Sequence, residues 1–135
     1  SYPYINPVLK TLYNSEDLME RKTGIKFLSM IDPAYIKEQF KVLKNLTEPP
    51  LSEIVLASLP YVCPKEKWSY LEKMLKKDLS GSELLSMVGS LSRIGGDRPL
   101  QILKKLEISR NIKNEKLMIQ NAILARKKTT RINCQ

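Results

Sequence analysis

Three stretches of this sequence share one pattern: LSMIDP at residues 28–33, LPYVCP at residues 59–64 and LSRIGG at residues 91–96. Each stretch has the apolar residues of a helix end followed by a Pro or Gly turn. The first Leu of each stretch follows the previous one by 31 and then 32 residues. A regular period of this size is typical of proteins built from stacked helical repeats. The pattern therefore predicts a repeat architecture and favours binding over catalysis.

Apolar residues at helical spacing follow each turn. Counted from Pro33, Pro64 and Pro99, the seventh residue is apolar in every copy, and we expect these residues to be equivalently buried: Phe40, Leu71 and Leu106. No sustained apolar/polar alternation predicts a sheet. The sequence thus predicts an all-α fold, an α-solenoid of about three to four antiparallel helix pairs. The helices are expected near 7–13, 16–31, 33–46, 52–62, 64–79, 82–94, 98–109 and 114–128.

Capping residues and glycines mark the ends and contacts of these helices. Four pairs of a capping side chain with Glu predict helix starts: Ser15-Glu16, Ser52-Glu53, Ser82-Glu83 and Asn114-Glu115. Gly81 is expected to end the helix before it. Gly24 and Gly89 fall inside helices, where close approach of a second helix would explain them.

Residues 82–106, SELLSMVGSLSRIGGDRPLQILKKL, resemble one short bacterial HEAT-like repeat. The likeness lies in the apolar first helix, the Gly95-Gly96-Asp97 turn and the Leu-rich second helix. Residues 7–13 with 15–31 resemble the junction between two such repeats. The resemblance extends over about residues 5–125. It implies stacked helix pairs whose second helices line a concave face, and a scaffold or binding platform as the function.

The predicted domain organisation is one repeat domain over residues 1–128 and a basic flexible tail over residues 129–135. The first helix looks like the second half of a truncated pair. A solenoid end without a polar cap is adhesive. We therefore expect either that the chain is a segment of a longer solenoid or that it self-associates through its N-terminal end.

Composition points to a cytoplasmic protein. Cys63 and Cys134 are far apart and too few for a disulfide framework, so they are expected to be reduced thiols, with Cys63 buried and inert. No apolar run is long enough to span a membrane, and the N-terminus does not resemble a signal peptide.

The residues expected of an enzyme are missing. The chain has no His, which removes the commonest general base and metal ligand, and it has no Gly-rich phosphate loop. We therefore predict a non-enzyme with no catalytic residues, no metal and no cofactor. Trp68 could be a stacking platform for a ligand, but its helical spacing from Leu71 and Leu75 favours a core position.

The second helices are the candidate binding surface. The fifth, sixth and ninth residues after each reference proline are expected to face outwards: Glu38, Gln39 and Val42; Ser69, Tyr70 and Lys73; Lys104, Lys105 and Ile108. This mixture of charged, amide, aromatic and aliphatic groups suits another protein or a peptide better than a phosphate backbone. An unused solvated face is the alternative.

The net charge of +9 is concentrated at the C-terminal end, where residues 110–135 carry seven Lys or Arg and one Glu. The basic tail is defined by Arg126, Lys127, Lys128 and Arg131. Cations at a helix C-terminus complement the helix dipole, so a purely structural role would explain this basic cluster. The alternative function is a nucleic-acid-binding helical repeat protein that uses this tail and the Lys-rich second helices.

Overall fold

The computed structural model describes residues 4–128 and 131–134. Within them it contains eight α-helices and no strand, so the prediction of an all-α fold is confirmed. The helices are α1 (Ile5–Tyr13), α2 (Leu18–Ile31), α3 (Pro33–Leu43), α4 (Leu51–Val62), α5 (Lys67–Leu75), α6 (Gly81–Arg93), α7 (Asp97–Ser109) and α8 (Lys113–Ala125). Residues 1–3 of the predicted domain, and residues 129, 130 and 135 of the predicted tail, lie outside the described residues.

The three predicted turns separate α2 from α3, α4 from α5, and α6 from α7. Pro33 is the first residue of α3, where its missing N–H is harmless. Gly96 directly precedes α7. Its φ of 95° is a backbone conformation that favours glycine. The helix after Pro64 is shorter than predicted, because the chain leaves α5 at Leu75 and buries Leu79 in the core.

The four helix starts predicted from capping residues lie within two residues of the observed ones, but none of the four predicted residues caps its helix. Asp17, not Ser15, caps α2, since its side chain accepts from two backbone N–H groups of the first turn. Ser52 and Asn114 lie inside α4 and α8, whose starts have no side-chain cap. Ser52 is buried, and its hydroxyl is used for a contact with another helix.

The capping residue of α6 differs from the predicted one, although the helix starts within one residue of its predicted position. Ser80, not Ser82, is the capping residue, and it exchanges hydrogen bonds with Glu83 in a capping box. Gly81 is consequently the first residue of α6 and does not end the helix before it.

Helices α2, α4, α6 and α8 contact one another in succession, while α1 packs on α2 and α7 packs on α6 and α8. A Cβ on Gly24 would lie 2.5 Å from the backbone nitrogen of Tyr13, so the predicted close approach is confirmed there. Gly89 has open space around it, and close approach does not explain it. Phe40, Leu71 and Leu106 are all buried, as predicted.

The cysteines are not reduced thiols. Cys63, at the end of α4, forms a disulfide with Cys134, and their Cα atoms are 5.1 Å apart. Ile132 pairs with Ile94 in an isolated bridge, so residues 131–134 of the predicted flexible tail are attached to the α6–α7 turn. The two cysteines are 71 residues apart in the sequence, so their spacing did not predict that they would pair. The disulfide also removes the argument for a reducing, cytoplasmic compartment.

A buried carboxylate links α4, α6 and the preceding loop. Glu83 accepts hydrogen bonds from Ser52 Oγ at 2.5 Å and from Lys77 Nζ at 2.9 Å. We expect Glu83→Gln to lower the free energy of unfolding by about 2 kcal/mol at neutral pH, because charge-assisted hydrogen bonds are lost. Glu48 contacts the same Lys77 but is exposed, so Glu48→Gln is the matched control, expected to cost less than about 1 kcal/mol in urea unfolding.

The Glu83 contribution depends on pH. Burial alone would raise the pKa of Glu83, but hydrogen bonds from Ser52, the Ser80 N–H and Lys77 outweigh burial and lower the pKa. Such a carboxyl group stabilises the fold above its unfolded pKa of about 4.3, and this stabilisation is lost as the pH falls through the folded pKa. The difference between wild type and Glu83→Gln should therefore shrink in acid. A difference that stays constant from pH 7 down to about pH 3 would contradict the role of Glu83.

Candidate functional site

The residues predicted for α3 lie at the surface. Glu38 and Val42 are exposed. Gln39 is half-buried, and its side-chain oxygen accepts a hydrogen bond from the Tyr13 hydroxyl at 3.3 Å. Glu38 and Val42 are thus available to a partner, while Gln39 also connects α3 to α1.

On α5 the prediction fails for one residue. Ser69 and Lys73 are exposed, but Tyr70 is fully buried, and its hydroxyl donates to the Leu46 carbonyl at 2.7 Å. The buried residues of α5 are 67, 70, 71 and 74, while Trp68 and Leu75 of the predicted stripe are only partly buried against the core. The helix is therefore turned by about one residue relative to the predicted stripe, which places Tyr70 in the core.

On α7, Lys104, Lys105 and Ile108 are exposed as expected. Lys105 lines a groove. Its neighbours along one face of α7 are Ile102, which belongs to the apolar stripe after Pro99, and Arg98 and Gln101, which sequence reasoning did not single out.

These α7 residues form one wall of an open groove. The groove between α5 and α7 has a volume of about 440 Å³. Its apolar lining residues are Leu75, Ile102 and Leu106, and its polar lining residues are Glu72, Arg98, Gln101, Lys105 and Ser109. An apolar floor with a polar margin is the composition of a small protein-interaction surface.

One end of the groove is built around Trp68. The Arg98 guanidinium lies 4.7 Å from the centroid of the indole, within range of a cation–π contact, and Arg98 Nη2 is 2.7 Å from Glu72 Oε1. Trp68 is half-buried and packs against the core, in line with its predicted core position. It also presents a ring to Arg98 beside the groove.

No protein-family model, no curated protein and no solved structure matches this chain. The resemblance of residues 82–106 to a HEAT-like repeat remains a resemblance of sequence pattern.

Lys67 is an unusual neighbour of the groove. It is only 6% exposed, and its Nζ lies 5.7 Å from the Trp68 ring centroid. Burial lowers the pKa of Lys67, and the positive charges of Lys37 and Arg98 lower it further. In the described part of the chain, no carboxylate pairs with it.

The basic tail divides into two kinds of residue. Arg126 donates to the carbonyls of Leu91, at 2.6 Å, and of Ile94 and Gly96 at the end of α6. Arg131 donates to the Ala125 carbonyl at 2.8 Å. Lys127 and Lys128 are exposed. The two arginines therefore have structural contacts, and the two lysines face solvent.

Other surfaces offer less chemistry. A shallower depression of about 230 Å³ between α4 and α6 is lined by Ala57, Tyr61 and Gly89 among others. At the N-terminal end Ile5 and Val8 are exposed, which leaves self-association there as a prediction.

Among the described residues, no cluster of His, Cys, Asp and Glu could hold a metal ion. None of the helices in residues 4–128 has the length and apolarity needed to cross a membrane.

Proposed function

We propose that this chain is a non-enzymatic protein-interaction module that binds a peptide segment of its partner in the groove between α5 and α7. The observation that carries the proposal is the groove itself, with its apolar floor of Leu75, Ile102 and Leu106. An open channel along two helices admits an extended or helical segment, as in helix-in-groove recognition.

We further propose that the helices form a short HEAT-like α-solenoid of three to four repeats. The successive contacts of α2, α4, α6 and α8 support this arrangement, because each repeat in a solenoid contacts its neighbours. The proposed pairs are α2 with α3, α4 with α5, and α6 with α7, with α1 and α8 at the two ends; contacts between α2 and α3 and between α6 and α7 support two of these pairs. The regular spacing of the turns supports the same arrangement.

The groove lining favours binding over catalysis. Glu72 is the one carboxylate among the lining residues, and it is paired with Arg98. The lining therefore places no unpaired carboxylate as a general base. The same lining offers apolar contacts and hydrogen-bonding groups, which is what a peptide requires.

Nucleic-acid binding is the second candidate, favoured by the net charge of +9 and by the exposed Lys127 and Lys128. Because Arg126 and Arg131 donate hydrogen bonds to backbone carbonyls, fewer charges of the tail are available to bind phosphates. Phosphate contacts would appear as a log–log salt slope of about −0.9 per contact for duplex DNA.

The test is a selection of random 12-residue peptides displayed on phage against the wild-type protein. We expect peptides whose binding is lost in Gln101→Phe, because an aromatic side chain at this exposed lining position fills the groove. Gln120→Phe is the matched control, since Gln120 is exposed on α8 away from the groove. Affinities are measured by fluorescence anisotropy with labelled peptides.

Two outcomes would contradict the proposal. One is a selection that yields no binding peptide. The other is a set of peptides that bind wild type and Gln101→Phe equally well, which would move the site away from the groove. Melting temperatures of both variants show whether either substitution has disturbed the fold.

A further inference from the structure

The loop between α3 and α4 contains the motif Asn45-Leu46-Thr47. An Asn followed two residues later by Ser or Thr, with any residue except Pro between them, is an acceptor sequence for N-linked glycosylation. The chain has seven Asn residues, and Asn45 alone has this spacing. Because so short a motif also occurs by chance, its place in the fold and the compartment of the protein decide whether it is used.

The side chain of Asn45 is open to modification. Asn45 is exposed and lies two residues after the end of α3. Its backbone N–H donates to the Val42 carbonyl at 3.0 Å, but within the described residues its side-chain amide makes no hydrogen bond. Asn side chains in turns often bond to nearby backbone, and no such structural role occupies this one. A sugar on Asn45 Nδ2 therefore breaks no contact among the described residues.

The loop is held to the rest of the protein through its backbone. Three of its carbonyls accept hydrogen bonds from side chains of α5 and of the segment that follows α5: Lys73 donates to Lys44 at 3.2 Å, Tyr70 to Leu46 at 2.7 Å and Lys77 to Thr47 at 2.7 Å. None of these bonds uses the side chain of Asn45 or Thr47. The fold thus fixes the loop while both side chains of the motif stay available.

Apolar surface lies next to Asn45. Asn45 lines a shallow depression of about 260 Å³, whose other lining residues include the exposed Leu18 and Pro49. The C–H face of a sugar ring that lies against these side chains would remove apolar surface from water. No residue of this loop lines the α5–α7 groove, so a glycan here is independent of the proposed function.

The Cys63–Cys134 disulfide is the second observation that supports modification. Disulfides persist in oxidising compartments, such as the lumen of the endoplasmic reticulum, and are rare in the cytoplasm. N-linked glycosylation is likewise a modification of secreted proteins. The paired cysteines and the acceptor motif therefore point independently to the same kind of compartment, in contrast to the cytoplasmic location predicted from composition.

We infer that Asn45 carries an N-linked oligosaccharide, which the chain receives in an oxidising secretory compartment. The donor is an oligosaccharide joined through a diphosphate to a polyprenol lipid. Asn45 Nδ2 forms a bond to the anomeric carbon of the first sugar and loses one proton, while the bond from that carbon to the diphosphate oxygen breaks and the polyprenyl diphosphate leaves. Thr47 supplies the hydroxyl by which the transferase recognises the acceptor.

The first test is peptide mapping by mass spectrometry of the protein purified from its own cells. We expect the peptide that contains Asn45 to carry an oligosaccharide on that residue, in the same preparation in which Cys63 and Cys134 are paired. A peptide with unmodified Asn45 would overturn the inference.

The second test uses variants secreted from cultured eukaryotic cells, with electrophoresis before and after treatment with a peptide N-glycosidase. Wild type and Thr47→Ser should show a mobility shift that the glycosidase removes, since Ser preserves the motif. Asn45→Gln and Thr47→Ala should show none. Asn14→Gln is the matched control: Asn14 is exposed but is followed two residues later by Glu16, so this variant should be modified like wild type.

Two results of the second test would overturn the inference. One is secreted wild-type protein without a glycosidase-sensitive shift. The other is a shift that persists in Thr47→Ala, which would place the sugar at another residue. Melting temperatures of the glycosidase-treated wild type and of the variants show whether any substitution has disturbed the fold.

Discussion

Reduction of the Cys63–Cys134 disulfide should lower the free energy of unfolding by about 4 kcal/mol, because the bond closes a loop with a sequence separation of 71 residues. Without the disulfide, the unfolded chain is no longer restricted to conformations that close this loop, and its conformational entropy is higher. The C-terminal residues should then be held to the α6–α7 turn by non-covalent contacts, such as the hydrogen bond from Gly95 N to the Ile132 carbonyl at 2.8 Å.

The measurement is equilibrium urea unfolding with and without reductant, followed by Trp68 fluorescence. The double variant Cys63→Ser/Cys134→Ser is the control: it should be as unstable as the reduced wild type, and reductant should not affect it. Two free thiols in protein prepared under oxidising conditions, or equal stability of the oxidised and reduced forms, would contradict the described pairing.

The second large effect is expected at Tyr70. Tyr70→Ala should lower the free energy of unfolding by about 3–5 kcal/mol, as for other large buried aromatic side chains. The ring is fully buried, lies edge-on to Phe40 with a centroid distance of 5.8 Å, and its hydroxyl satisfies the Leu46 carbonyl. Tyr70→Phe retains the ring and should cost only about 1 kcal/mol.

Lys73→Ala is the control for Tyr70, because Lys73 lies on the same helix and is exposed. It should change the stability by less than about 0.5 kcal/mol. Urea unfolding of the three variants separates the two positions. A Tyr70→Ala variant as stable as Lys73→Ala would restore the prediction that Tyr70 faces the solvent.

The parts of the fold that depend on local rules could be predicted from the sequence. The Pro and Gly turns restrict the backbone directly, and the predicted breaks between α2 and α3, α4 and α5, and α6 and α7 are found. The apolar period correctly predicted that Phe40, Leu71 and Leu106 are buried. These features require no knowledge of distant residues.

The errors concern the features that depend on distant residues. Tyr70 is buried because α5 is rotated by about one residue, and helix packing decides that rotation. Ser52 resembles a helix cap, but its hydroxyl is taken by Glu83 of α6. Cys63 and Cys134 are brought together by the folded chain.

The groove could be predicted only in part. Lys105 was identified because it follows the helical period, and it lines the groove. Arg98 and Gln101 were missed, since their importance depends on where α7 lies relative to α5. The pairing of Arg98 with Trp68 and Glu72 crosses between helices, and no spacing in the sequence reveals it.

The most direct test of the proposed binding groove is a titration of the ¹⁵N-labelled protein with the tightest selected peptide, followed by amide chemical shifts. We expect the largest shift changes along α5 and α7, at Glu72, Gln101 and Lys105, with little change in α2. Changes concentrated instead at α1, at the depression between α4 and α6, or at residues 126–134 would contradict a binding site between α5 and α7.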